Sequence, residues 1–484
     1  MSSTPNAPDC TEHLQRLLKV QKDSFLHDGV PDLATRLDRL KRLERMLLDH
    51  EDDIVQTLSQ DFQGRSRHLT RAADIVGGIS AIRHTIEHLP RWLEPQPLEL
   101  PQDVAHTGTT AAVHYRPVGV VGVVVPWNGP VLLTCLPLMG ILAAGNRAMV
   151  KVSEFAPAAA SLLSQMVART FAPEEVAIVE GAADVASAFT RLPFDHLLFT
   201  GSTQVAKYVM RAAAESLTPV TLELGGKSPV ICGRTAQMDE TAARLAHGKL
   251  AFGGQVCVTP DYVLASAGQE RALAEKILAE AALLYPTIHG NDDYSAIINE
   301  AHLRRLQGLL EDARAKGATL LTVPHIDRDA EGCSRKFPLT VVLNASDDMK
   351  VMQEEIFGPI LPILPYDTVH DALAYIRARP NPLSAYYFGQ DADEQALVTR
   401  SIQTGGLLVN DVLCQIFYEN IPFGGSGASG MGRYRGAEGF KTFSNGVSVF
   451  VQKQPEALLQ QQRPPYGSAM QSCLDARVEQ FRHS

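Results

Sequence analysis

The stretch VGVVGVVVPWNGPVLLTCLPLMGILAAGNRAMVKVSE, residues 118–154, decides the architecture of this chain. Val120–Val125 is a run of valines around one glycine, the pattern of a short strand buried on both faces. Val131–Ala144 follows as an apolar, helix-like segment, and Ala148–Val152 is extended again. The whole stretch is apolar enough to be mistaken for a membrane span. Yet Pro126, Asn128, Pro130, Pro137, Gly140 and Asn146 punctuate it. Its longest clean piece, Val131–Ala144, is too short to cross a bilayer. The reading is a buried strand, a turn and a core helix.

The same alternation continues downstream. Ala156–Thr170 reads as helix, Val176–Val179 as strand, Asp195–Phe199 as strand, Gln204–Glu215 as helix and Val220–Leu224 as strand. A βαβα order implies a parallel sheet covered by helices, and such sheets bind ligands at their strand C-termini. After Gly225-Gly226 a second alternating set begins and runs to about residue 410. Upstream, Leu33, Leu37, Leu40, Leu43, Leu47 and Leu48 recur at helical spacing, and a second helical pattern runs from about Thr70 to Leu89. The Pro-rich segment PRWLEPQPLELPQD ends it, and TAAVHYRPVGVVGVVVP then reads as two extended segments. The last thirty residues, with QKQPEALLQQQRPPYG, read as a surface tail.

At 484 residues the chain is long enough for two or three domains. It is 45% apolar and 20% charged, which excludes disorder as its main state. A net charge of −10 argues against a nucleic-acid partner. Seven scattered cysteines show no CxxC pair, so neither a disulfide scaffold nor a metal module is expected. That usage fits a reducing, cytoplasmic setting, and MSSTPNAPDC has no signal-peptide pattern.

Several residues carry chemistry beside a plainer reading. Cys257, in FGGQVCVTPD, sits among small residues before Pro260, which describes an exposed loop and a candidate nucleophile. It also reads as one buried cysteine among seven. Glu223, in TLELGGKSP, ends a β-branched run and is a candidate general base, or an ion-pair partner of Lys227. Asn128, in VVVPWNGP, offers an amide to a developing oxyanion, or simply forms a turn. FTGSTQVAK places Gly201 and Ser202 where a strand meets a helix N-terminus, a phosphate cradle or an ordinary capped turn. Lys151 and Glu154 suit ribose hydroxyls, or form a solvated charge pair. The literal G-x-G-x-x-G at Gly425, Gly427 and Gly430 has no strand before it and reads as a flexible loop.

Order and spacing change these odds. PWN, KVSE, FTGST, LELGGKSP, GQVC, EEIFGP and PFGGSGASGMGRYRG, in this sequence, resemble the aldehyde dehydrogenase superfamily from about residue 115 to 445. GQVCVTPDYVL and GMGRYRGAEGFKTFS resemble its class 3 branch, and within it the coniferyl aldehyde dehydrogenases. The resemblance implies an α/β fold: a Rossmann-like NAD-binding domain (1–224, with 105–117 in a small β oligomerisation element), an α/β catalytic domain (225–415), and a return segment with oligomerisation strand and tail (416–484). It implies Cys257 as the thiol, Glu223 as the base and Asn128 as the oxyanion donor. Trp127, Lys151, Glu154, Gly201, Ser202, Glu355 and Phe357 are the implied cofactor contacts, with no metal. The implied cofactor is NAD, with NADP as the alternative. The substrate is a small aldehyde, aromatic or medium- to long-chain. No membrane or nucleic acid is expected, and a homodimer or homotetramer is.

Three positions depart from the family pattern. Ala206 stands where glycine is common, Phe252 where asparagine is usual, and Cys414-Gln415 where class 3 members often carry histidine. Leu132, Leu133, Leu136, Phe417 and Tyr418 are the candidate substrate mouth. Two other classes stay in view. A cofactor-independent cysteine esterase would need a histidine beside Cys257, and the nearest in sequence is His247. A non-catalytic nucleotide-binding protein would not need the Cys257, Glu223 and Asn128 set.

Overall fold

The computed structural model describes residues 7–323, 334–454 and 463–483. Two large sheets share one continuous buried core. The first has the order Gly430–Met431, Val220–Glu223, His196–Thr200, Val120–Val124, Arg147–Lys151, Val176–Val179. All its pairings are parallel except that of Gly430–Met431 with Val220–Glu223. Successive strands run outward from Val120–Val124 in one direction. The chain then returns to its other side with His196–Thr200. The strand order therefore reverses between these two neighbours, and a crevice opens beyond their C-terminal ends, where open α/β sheets bind ligands.

The second sheet has the order Thr319–Thr322, Thr340–Leu343, Ile360–Tyr366, Tyr262–Ser266, Pro229–Cys232, Ser384–Phe388, Gly406–Val409. Only its first pair is antiparallel. A third, three-stranded antiparallel ribbon joins Gln96–Pro97, Thr110–Pro117 and Ser444–Val451.

Helix Leu132–Ala144 is apolar all round, and nearly all of it is buried. It ends at Gly145, whose left-handed φ of 94° closes the last turn. Against it packs helix Leu33–Asp49, capped by Asp32, whose side chain accepts from Thr35 N at 2.8 Å. Its leucines bury because their spacing puts Leu40, Leu43 and Leu47 on one face.

Three details differ from the sequence reading. The second N-terminal helix is not uniform: a π-helical stretch, Arg71–Gly77, precedes helix Gly78–Trp92. The Gly-rich segment is not a free loop. Gly430 and Met431 form a short strand beside Glu223 and Leu222, a pairing too brief to leave an alternating pattern. The tail carries an exposed helix, Ser468–His483.

Candidate active site

Three of the candidate positions stand at the C-terminal ends of strands in the first sheet. Asn128 follows strand Val120–Val124, Gly201-Ser202 follows His196–Thr200, and Glu223 ends Val220–Glu223. Gly201 N donates to Glu223 O at 3.0 Å, which ties two of these ends together. Cys257 lies in the loop between helix Met238–Leu250 and strand Tyr262–Ser266 of the second sheet.

That loop is built to approach another backbone. Gly254 has φ +72°, and a Cβ there would lie 2.6 Å from the carbonyl carbon of Gly358, beside Phe357. Gln255 is buried and ties the loop down. Its Nε2 donates to Phe252 O (2.9 Å) and Ala296 O (3.0 Å), and its Oε1 accepts from Ile298 N (3.0 Å). Lys249, also buried, donates to Pro260 O at 2.8 Å. The loop is therefore tightly held rather than exposed, and Cys257 is only partly accessible.

One cavity of about 510 Å³ has Cys257, Glu223 and Asn128 in its wall, together with Trp127, Gly201, Ser202, Glu355 and Phe357. The structure thus brings eight of the ten candidate residues together. Lys151 and Glu154 lie outside this wall, at the end of the neighbouring strand. There Lys151 is buried, donates to Val152 O at 2.6 Å and pairs with Glu154 at 3.6 Å.

Asn128 Nδ2 donates to Gln255 O at 3.0 Å. An amide nitrogen carries two hydrogens, so one remains for a ligand. Glu223 has no ion pair with Lys227, which is held instead by Asp261 and by Val351 O. Both Glu223 carboxylate oxygens are sealed from solvent and have no hydrogen-bond partner among the described residues. Burial pushes this carboxyl well above its ordinary range, against the opposing charges of Arg435 and Arg433. Burial, then the negative charges of Glu355 and Glu223, push the Cys257 thiol up to about 12. Burial, then Asp261, push Glu355 up to about 8. A carboxyl kept unpaired inside a cavity is costly unless chemistry uses it.

The cradle fits a dinucleotide. Ser202 caps helix Thr203–Ala214, accepting from Val205 N, so the first free N–H groups of that helix face the crevice end of the sheet. A Cβ on Gly225 would collide with the Glu355 carboxylate at 2.1 Å, so the chain there leaves room only for that acid.

Leu132 and Leu133 lie in the same wall. Leu136, Phe417 and Tyr418 lie in a second cavity of about 300 Å³, which shares Ala73, Leu132 and Ile416 with the first. His247 is exposed on helix Met238–Leu250 and takes no part in the cavity wall. His247 therefore supplies no base to Cys257. His302 is the histidine in the wall, and its ring lies 5.0 Å from that of Trp127.

Sequence reasoning passed over Arg65, Asp74 and Arg435, all of which line this cavity. Arg435 stands in the motif GMGRYRG, which locates it but carries no sign of its role. Arg65 and Asp74 lie far upstream in a helical region with no motif.

The profile of the Aldehyde dehydrogenase family matches residues 29–449. The chain is 45% identical to a "Probable coniferyl aldehyde dehydrogenase" of Caulobacter vibrioides, over 96% of each chain. It is 42% identical to the coniferyl aldehyde dehydrogenase of a Pseudomonas sp., over 97% of each. A solved structure of Staphylococcus aureus AldH in a substrate-bound state superposes with a TM-score of 0.88 at 32% identity, covering 96% of this chain and 99% of that one. A buried acid, a thiol and an amide meeting in one crevice at a strand-order reversal, under a family match of this extent, place the chain in the aldehyde dehydrogenase family.

Proposed function

We propose that this protein oxidises an aromatic aldehyde of the coniferyl type to its carboxylic acid, using NAD. The observation that carries the reading is the convergence of Cys257, Glu223 and Asn128 in one cavity with Gly201, Ser202 and Glu355. The likeness to coniferyl aldehyde dehydrogenases supports the substrate class. The apolar leucines Leu132 and Leu133 support an aromatic body for it.

The residues have distinct tasks. Cys257 first gives up its thiol proton to solvent; the thiolate Sγ then attacks the aldehyde carbon, and the carbonyl pair moves to oxygen to give the thiohemiacetal anion. Asn128 Nδ2 and the Cys257 N–H receive the negative oxygen; losing one such donor typically costs ~10²–10³ in rate. A bound nicotinamide would supply the hydride acceptor, and Cys257 would then carry the substrate as a thioester. Glu223 in its ionised form takes a proton from water, whose oxygen attacks the thioester carbon; the C–S bond breaks and the departing sulfur is reprotonated. Gly201, Ser202 and the following helix N-terminus would hold the pyrophosphate, Lys151 and Glu154 a ribose, and Trp127, Glu355 and Phe357 the nicotinamide half. Glu154 at a ribose favours NAD over NADP.

The division into 1–224, 225–415 and 416–484 belongs to the same proposal and is supported by the two separate sheets. So does assembly into at least a dimer, supported by the exposed edge of strand Ser444–Val451. A reducing, cytoplasmic setting is supported by the unpaired state of Cys10, Cys135, Cys232, Cys257, Cys414 and Cys473.

The test is NADH absorbance with a panel of aromatic, short-chain and long-chain aldehydes. Coniferyl-type aldehydes should give the highest kcat/KM, and Cys257→Ala should remove turnover. Turnover unchanged in Cys257→Ala would refute the mechanism, and a short-chain preference would refute the substrate.

A further inference from the structure

The side chains that do the chemistry come from different sheets, so something must hold the Asn128 turn in register with the Cys257 loop. The structure shows a closed circuit. Arg65 Nη1 donates to Asn128 O at 3.1 Å. Asn128 Nδ2 donates to Gln255 O at 3.0 Å. Gln255 Nε2 donates to Phe252 O at 2.9 Å. The Phe252 ring then returns to its starting point: the Arg65 guanidinium carbon stands 4.4 Å from its centroid.

Arg65 is itself fixed on every side. Its Nη2 donates to Asp74 Oδ2 at 2.7 Å and its Nε to Thr70 Oγ1 at 3.2 Å, and the Phe62 ring covers it at 5.2 Å. The other oxygen of Asp74 accepts from Leu132 N at 3.2 Å, at the start of the helix that follows the Asn128 turn. One fully buried ion pair thus grips the oxyanion turn at residue 128 and again at residue 132.

Phe252 gives a second, separate indication. It holds φ +51°, ψ 30°, a left-handed conformation that a bulky side chain adopts only under constraint. Asparagine, which that conformation favours, would leave Arg65 without its ring. The site keeps a strained aromatic where it contacts the cation.

We infer that Arg65, with Asp74 and Phe252, is a positioning residue that sets the Asn128 amide against the Cys257 loop. Arg65 touches no reacting atom and acts through Asn128. The inference rests on the proposed role of Asn128 as oxyanion donor and extends it to a part of the chain outside both sheets.

The test removes both charges together, because one alone would leave a buried orphan. The variant is Arg65→Met/Asp74→Leu, made in wild type and in Asn128→Ala. Misplacing a reacting group slightly can cost ~10²-fold in rate, so the double variant should lose at least about tenfold in kcat, with NAD Kd and aldehyde KM within about twofold. In Asn128→Ala the same change should alter kcat by less than about twofold, because the group it positions is gone. An equal loss in both backgrounds overturns the inference, and so does a loss carried by NAD affinity. Amide hydrogen exchange gives an arm that needs no turnover. Protection in residues 126–132 and 252–257 should fall together in the double variant, while strands Val120–Val124 and Tyr262–Ser266 keep theirs. Retained protection in both segments would overturn the inference, whatever the enzyme's activity. A wild-type protein that oxidises no aldehyde would sink the parent reading alone, and the exchange arm would still decide this one.

Discussion

Glu223 is the residue at which function and stability pull apart. Its carboxyl is buried, unpaired among the described residues and held well above its ordinary range. The folded protein therefore prefers it with a proton, while the unfolded chain releases that proton near 4.5. Between those values the unfolded state binds fewer protons, so the contribution of this group to stability falls as pH rises. Glu223→Gln should become increasingly stabilising relative to wild type as pH rises above the unfolded-state value, and it should lose ~10²–10⁴ in turnover. Urea unfolding across a pH series checks the first expectation, and steady-state rates check the second. A variant less stable than wild type at the highest pH of that series would contradict the cost assigned to the buried charge. At this scale the sequence was informative, because a carboxylate closing a β-branched run is unusual enough to notice. What it could not show was that Lys227 turns away to Asp261, which leaves the acid without a hydrogen-bond partner among the described residues. Arg65 was illegible for a different reason: its contact with Asn128 spans 63 residues and follows from tertiary packing, not from a local pattern.

Elements add a constraint that single residues do not carry. The strand at Gly430–Met431 pairs antiparallel with the end of Val220–Glu223, and Leu224 N donates to Ser429 O at 3.0 Å. Gly430 has φ +140°, and a Cβ there would sit 2.1 Å from Leu222 O. Such a conformation is essentially closed to other residues, at a strain of about 1–3 kcal/mol before any clash is counted. Gly430→Ala should lower unfolding stability by at least about 2 kcal/mol and cut turnover through displacement of Glu223, as denaturant melts and NADH assays would show. Full activity in that variant would mean the strand does not support the base. The alternation from Val118 to Leu224 was readable because buried parallel strands and helices impress distinct periods on the sequence. A two-residue strand impresses none, so the Gly-rich segment read as a loop. The π-helical stretch at Arg71–Gly77 was hidden likewise, since its apolar spacing departs little from that of an ordinary helix.

For the whole molecule, the open question is assembly. Strand Ser444–Val451 forms one edge of the three-stranded ribbon, and Phe450 and Val451 on it are exposed. An eight-residue edge with exposed apolar side chains is a template for pairing with another copy. Phe450→Glu should therefore shift the protein to a smaller species on size-exclusion chromatography with light scattering, without unfolding it. An unchanged mass would place the interface elsewhere. The pairing of that ribbon with Thr110–Pro117 also joins distant parts of the chain: the segment before the first sheet and the segment after the second. The return segment does the same for the catalytic crevice, because Gly430 and Arg435 come after every other strand of both large sheets in sequence yet stand beside Glu223. A ribosome thus delivers the wall behind the base almost last. A chain ending before residue 430 would carry the thiol and the acid but lack the strand and the arginine that close the chamber beside them.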